Sequence, residues 1–166
     1  GNSSTISTST GADCGAESGG VDITNDNAET DKPILTNFTA TPNYVDVTNG
    51  PVVVTLSIDI EEESGSLTLY SPLIISCNGN GGGPNGGVWQ LVSGDVYDGT
   101  WEVTITIPET QGDDQFYLYS NIIEDKWGNS STISTSTGAD CGAESGGVDI
   151  TNDNAETDKP ILTNFT

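Results

Sequence analysis

Carboxylates are the chemistry this chain has to offer. It contains no histidine, and 25 Asp and Glu stand against 3 Lys and Arg for a formal net charge of −22. Without imidazole there is no Ser–His or Cys–His pair to activate a nucleophile, and no transition-metal site of the usual kind. The acids come in groups: Glu61, Glu62 and Glu63; Asp95 and Asp98; Glu124 and Asp125; and Asp31. These are hard oxygen donors, and calcium takes six to eight of them in flexible geometry. Crowding like charges favours a bound cation, although an acidic turn left to itself is simply solvated. Paired carboxylates also serve glycoside hydrolysis. No pocket-forming insert accompanies them here, so the chain is not expected to be an enzyme. A second acidic series, Asp149, Asp153, Glu156 and Asp158, lacks the D-x-D-x-D-G pattern of an EF-hand.

The same charge bounds the partners. There is too little Lys and Arg to neutralise phosphates, so nucleic acid and anionic membrane are repelled and divalent cations are the expected small partners. No apolar run is long enough to span a bilayer, so membrane insertion is not expected in this segment. Three tryptophans (Trp89, Trp101, Trp127) and four tyrosines (Tyr70, Tyr97, Tyr117, Tyr119) offer a sugar-stacking platform or, more simply, core filling. Asn2, Asn37, Asn129 and Asn164 lie in N-x-S/T sequons, which matter only where the host glycosylates.

The elements that must position the carboxylates are set by a repeat. Residues 128–166 restate residues 1–39 letter for letter, a tandem period of 127 residues of which the chain holds about 1.3 copies. One period carries 2 lysines and 19 acids, a net charge of about −17. Cys14 and Cys141 are the same position in successive copies, so each period has two cysteines, Cys77 and Cys141. Two per unit with no C-x-x-C spacing suit a disulfide in an oxidising compartment, with buried free thiols as the alternative.

Strand signals recur at short intervals between residues 32 and 135. The segment 51–60 sets Val52, Val54, Leu56, Ile58 and Ile60 on one face, and 100–108 sets Trp101, Val103, Ile105 and Ile107 on one face, the period of half-buried antiparallel strands. Phe116, Leu118 and Ile122 share a face further on, and residues 131–135 form the closing strand. No segment has a helical period. The expectation is an all-β fold, a Greek-key β-sandwich of about seven antiparallel strands. Its parts are residues 1–30 (closing strand and linker of the preceding repeat), 31–137 (the sandwich), 138–157 (an acidic Gly-rich linker) and 158–166 (first strand of the next repeat). In the immunoglobulin order, the turns after strands two, four and six share a pole with the start of the chain. That nominates Glu61, Glu63, Asp98, Asp125 and Asp31 as ligands for Ca2+. Loop length does not choose the partner of Cys77, because Cys14 and Cys141 are 63 and 64 residues away. Strand order favours Cys77 with Cys141, leaving Cys14 to the preceding repeat.

The run Asp31 to Gly50 (D-K-P-I-L-x-x-F-x-A-T-P-x-x-V-D-V-T-N-G), the tetrapeptide Asp98-Gly99-Thr100-Trp101 and the pentapeptide Asp125-Lys126-Trp127-Gly128-Asn129 follow one another in a familiar order. Together with the acidic turn before Ser64-Gly65, they make residues 31–137 resemble the bacterial immunoglobulin-like repeats of large secreted and surface proteins. The resemblance implies that the sandwich is an immunoglobulin-like fold, and it implies calcium binding and service as a spacer in adhesins. The expected role is therefore a structural repeat of an extracellular stalk, adhesin or fibre at the cell surface, stiffened by a disulfide and calcium, with neighbouring identical repeats as partners. Two alternatives stand beside it. Because the terminal strand occurs twice, at 1–10 and 128–137, a strand-exchanged filament is one, and a polysaccharide-binding module is the other.

Overall fold

The computed structural model describes residues 20, 29–78, 83–84, 86–120, 122–136 and 140–154. Two ten-residue strands form its axis, β3 (Val52–Glu61) and β7 (Asp98–Ile107), paired antiparallel from Val52 opposite Ile107 to Glu61 opposite Asp98. Their alternation buries Val54, Leu56, Ile58 and Ile60 against Val103, Ile105 and Ile107. β1 (Ile34–Thr41) pairs with the free side of β3, and β6 (Gln90–Gly94) with the free side of β7, giving the sheet order β1-β3-β7-β6. A bulge between Thr36 and Thr39 places Asn37 at φ 52°, a left-handed conformation that asparagine tolerates better than most residues. From there its amide donates to Asp59 Oδ2 at 2.7 Å, and the Thr100 hydroxyl donates to Asp59 Oδ1 at 2.8 Å.

A second sheet runs β2-β11-β8-β5, from Tyr44–Asp46, Val148–Thr151, Asp114–Tyr119 and Leu73–Ser76. A third small sheet, β10-β9-β4, joins Ser130–Ser131, Ile123–Asp125 and Leu67–Leu69. Phe116, Leu118, Ile74, Ile123, Val148 and Ile150 from these strands share one core with the first sheet. Trp89 lies in that core beside Phe38, ring centres 6.2 Å apart, and its indole N–H reaches Tyr70 O at 3.0 Å. The fold is all-β, with eleven strand segments among the described residues where about seven strands were expected. The excess comes from strands broken in two and from β11, which lies outside the expected strands. β1 and β2 are separated at the cis Thr41–Pro42 peptide and lie in different sheets.

The expected linker 138–157 is the largest departure. Residues 148–151 are β11, which lies between β2 (parallel) and β8 (antiparallel) with Val148 and Ile150 almost wholly buried. The closing strand is thereby split. Residues 130–135 cover only the upper part of its course, where Ser120 N–H donates to Ile133 O and Thr135 N–H to Leu118 O. Cys141 is tied to Cys77 with Cα atoms 6.1 Å apart, and the chain continues into β11. Glycine carries that connection: Gly142 and Gly146, at φ 80° and 87°, flank the 3-10 turn Ala143–Ser145. A disulfide closing a loop of 64 residues stabilises by roughly 2–4 kcal/mol, largely by restricting the unfolded chain. Ile122 differs as well: it is exposed, and Ile123 takes the core position. The expected elements at 1–19, 21–28 and 155–166, including Cys14 and the first strand of the next repeat, lie outside the described residues.

The two ends of the described body are at opposite poles. The main-chain carbonyl of Glu29 accepts from the Asn129 side-chain amide at 3.0 Å, at the upper pole where β3 ends. Asn154 holds Thr48 O at 2.8 Å, at the lower pole where β3 begins. β11 as a core strand predicts that Ile150→Ala costs about 2–5 kcal/mol in urea denaturation; a linker residue would cost almost nothing. The hydrogen bonds from Asn37 and Thr100 hold Asp59 below its ordinary 3.8. Its contribution is therefore complete above pH 3.8 and lost as the pH falls through the lowered value. Asp59→Asn should flatten that acid limb in a stability-against-pH series.

Candidate metal centre

Three carboxylates converge at the upper pole, each delivered by a different element. Glu62 follows β3 and continues the inward parity of Ile58 and Ile60, so it is buried while Glu61 and Glu63 on either side are exposed. Its main-chain N–H donates to Tyr97 O at 2.8 Å, and its Oε1 accepts from Ser64 N–H at 2.7 Å. Asp125 ends β9 two residues after the buried Ile123, again by parity. It accepts from the Trp127 and Asn129 main-chain N–H groups at 2.8 Å each and from the Asn129 side-chain amide at 2.8 Å. Gly128, at φ 88°, closes that turn. Glu29 arrives from the segment before β1, anchored by the same Asn129 amide. With its amide nitrogen bonded to both Asp125 and Glu29, Asn129 is held inside the site.

One oxygen from each of Glu29, Glu62 and Asp125 lies within 4.8 Å of the others. Two ligands on opposite sides of a calcium ion at 2.3–2.6 Å would be separated by about this distance, so the spacing suits a shared ion. All-oxygen, all-anionic donors select a hard cation over zinc or copper. Both Glu29 carboxylate oxygens are shielded from solvent and make no well-formed hydrogen bond among the described residues, although the Asp31 main-chain N–H is near enough to favour the charged form. Burial pushes the Glu29 carboxyl above its ordinary 4.5, and the charges of Asp125 and Glu62 push the same way against a partly opposing Asp31 amide. Burial also pushes Asp125 upward, but the donors of Asn129 and Trp127 outweigh it and hold that carboxyl below its ordinary 3.8. Glu29 and Asp125 are thus driven apart, and a proton or a cation at Glu29 relieves the pair. A calcium ion here would be held by Glu29, Glu62 and Asp125 and would neutralise their charge.

Of the carboxylates nominated from sequence, only Asp125 belongs to this triad. Asp31, Glu61, Glu63 and Asp98 instead line a neighbouring cavity of about 520 Å³, together with Glu29, Glu62 and Tyr97. The reason is parity: Glu61 and Glu63 point away from the core, and only Glu62 points in. Asp95 is spent on its own turn, accepting from Tyr97 and Asp98 N–H at 2.8 and 3.1 Å. Lys126 donates to Ser64 O at 3.2 Å and lies 5.2 Å from the Trp127 ring centre, which ties the two acidic turns together. Glu62 was legible in the alternation of β3. Glu29 was not, because nothing local distinguishes it from the acidic residues before it.

No protein-family model, curated protein or solved structure matches this chain. The triad makes a prediction of opposite signs. Glu29→Gln removes an unpartnered carboxylate, so it should raise the melting temperature in chelator and abolish the rise produced by calcium. Differential scanning calorimetry in the two buffers reads both effects, and a calcium-dependent rise of normal size in the variant would remove Glu29 from the site.

Proposed function

We propose that this chain is a structural repeat of an extracellular stalk, adhesin or fibre, spacing or assembling surface modules. The observation that carries the reading is the letter-for-letter restatement of residues 1–39 at 128–166, around a body whose two ends lie at opposite poles. A unit with that geometry extends when repeated, whereas one with adjacent ends would fold back on itself. The strand orders β1-β3-β7-β6 and β5-β8-β11 support an immunoglobulin-like Greek-key sandwich. The Cys77–Cys141 bond suits a non-cytoplasmic setting, and the acidic surface suits solubility outside the cell. Among the described residues no helix is long and apolar enough to cross a membrane.

Calcium at Glu29, Glu62 and Asp125 stiffens the upper pole in this reading, because it joins the segment before β1 to the turns after β3 and β9. Two measurements test it. Antibody against the chain should label intact cells, and label that appears only after lysis would reject the extracellular assignment. Calcium should raise the melting temperature over that in chelator, and an unchanged melt would remove the cation from the proposal.

A further inference from the structure

We infer that consecutive copies of this unit abut pole to pole across a joint of one residue, each copy closed by its own β11, so that the array is a continuous rod. This rests on the repeat reading proposed above and adds to it the nature of the joint. The anchored body runs from Glu29 to Asn154, which is 126 residues, against a period of 127. Glu156 restates Glu29, so only Ala155 separates the last anchored residue of one copy from the first anchored position of the next.

Both sides of the joint are firmly held. At the lower pole Asn152 is buried and held by four hydrogen bonds. Its N–H donates to Asp113 Oδ1 at 2.6 Å, its amide donates to Glu109 O and Gln111 O at 2.7 and 2.8 Å, and its Oδ1 accepts from Asn154 N–H at 3.0 Å. Asp153 N–H donates to Thr48 Oγ1 at 2.9 Å and the Asn154 side chain to Thr48 O at 2.8 Å. At the upper pole Glu29 is held by Asn129 and lies within the acidic triad. The two steps from Asn154 to Glu156 span at most about 7 Å, so a second copy has little room to swing about this joint. The partner surface of the lower pole is therefore the upper pole of the next copy.

Chain reach also decides which copy of the Val-Asp-Ile-Thr strand closes a unit. The sequence of β11 occurs earlier as Val21-Asp22-Ile23-Thr24. In the β11 position Thr24 would sit at the lower pole, while Glu29 sits at the upper one. β3 alone, ten residues long, spans roughly 30 Å at about 3.3 Å per residue. Five residues reach no more than about 18 Å. The preceding copy in the same chain cannot make the span, so each unit is closed by the strand that follows it, with Cys141 beside it.

Small-angle X-ray scattering in calcium buffer, on chains of two, three and four consecutive copies, tests the joint. Each added copy should lengthen the particle by a constant increment of roughly 40 Å, ten-residue strands plus their polar turns, at unchanged cross-section. Increments that shrink with copy number would overturn the inference, as would masses in solution that are multiples of one chain through exchange between molecules. Inserting Gly-Ser-Gly-Ser between Ala155 and Glu156 should leave the melting temperature unchanged and abolish the constant increment. Scattering indistinguishable from the uninserted chain would sink the one-residue joint. A constant increment combined with a calcium-insensitive melt keeps the rod and removes only the cation from the proposed function.

Discussion

The structure depends on four residues filling one slot. Between β2 and β8 the second sheet has unpaired backbone on both sides, and β11 satisfies both, parallel to one and antiparallel to the other. Val148 and Ile150 are delivered to the core by the same act. A slot of this kind without its strand exposes ladder groups and apolar surface together, which is the condition that invites pairing with other chains. The disulfide lies a few residues upstream of β11, so it limits how far the strand can withdraw. Closure of the sheet, protection of its edge and the direction in which the chain leaves are thus one event.

Direction is what would let such a unit serve as a link. β1 and β2 run from the upper pole to the lower, and β11 runs the same way beside β2. The polypeptide therefore arrives at one pole and departs at the other. The acids are distributed in keeping with this. At the upper pole two inward-facing carboxylates and Glu29 are packed where water does not screen them, and at the lower pole Glu109, Asp113 and Asp153 surround Asn152. Two such poles brought together across one residue repel unless cations intervene, so the acidity that keeps a single unit soluble also makes its joint sensitive to counterions.

Much of this was legible in the residues themselves. The alternations of β3 and β7 are long, and their inward rows are the ones the structure buries, because ten residues of period two admit only one face. The same parity points to Glu62 as the inward glutamate of the acidic turn. Ile122 and Ile123 show the limit of such reasoning: one residue of slip moves the core position, and no local signal marks the slip. β11 shows a different limit. Val148 and Ile150 are two apart, as a strand requires, but four residues amid Gly, Asp and Asn carry too little local preference to register as a strand. Their partners are about a hundred positions away in Tyr44–Asp46 and more than thirty away in Asp114–Phe116.

The sequence by itself determined the repeat, its 127-residue period, the absence of imidazole chemistry, the excess of carboxylate and the all-β character, because each is a property of composition, identity or local period. Tertiary structure alone decided which carboxylates meet, that the segment taken for a linker closes the fold, and that the body occupies 126 of 127 residues. These depend on pairings between residues far apart in the chain, whose free energy arises only once the two sheets are in contact. The acidic turns of the sequence meet, in the folded unit, at one pole, where an oxygen from each of Glu29, Glu62 and Asp125 lies within 4.8 Å of the others.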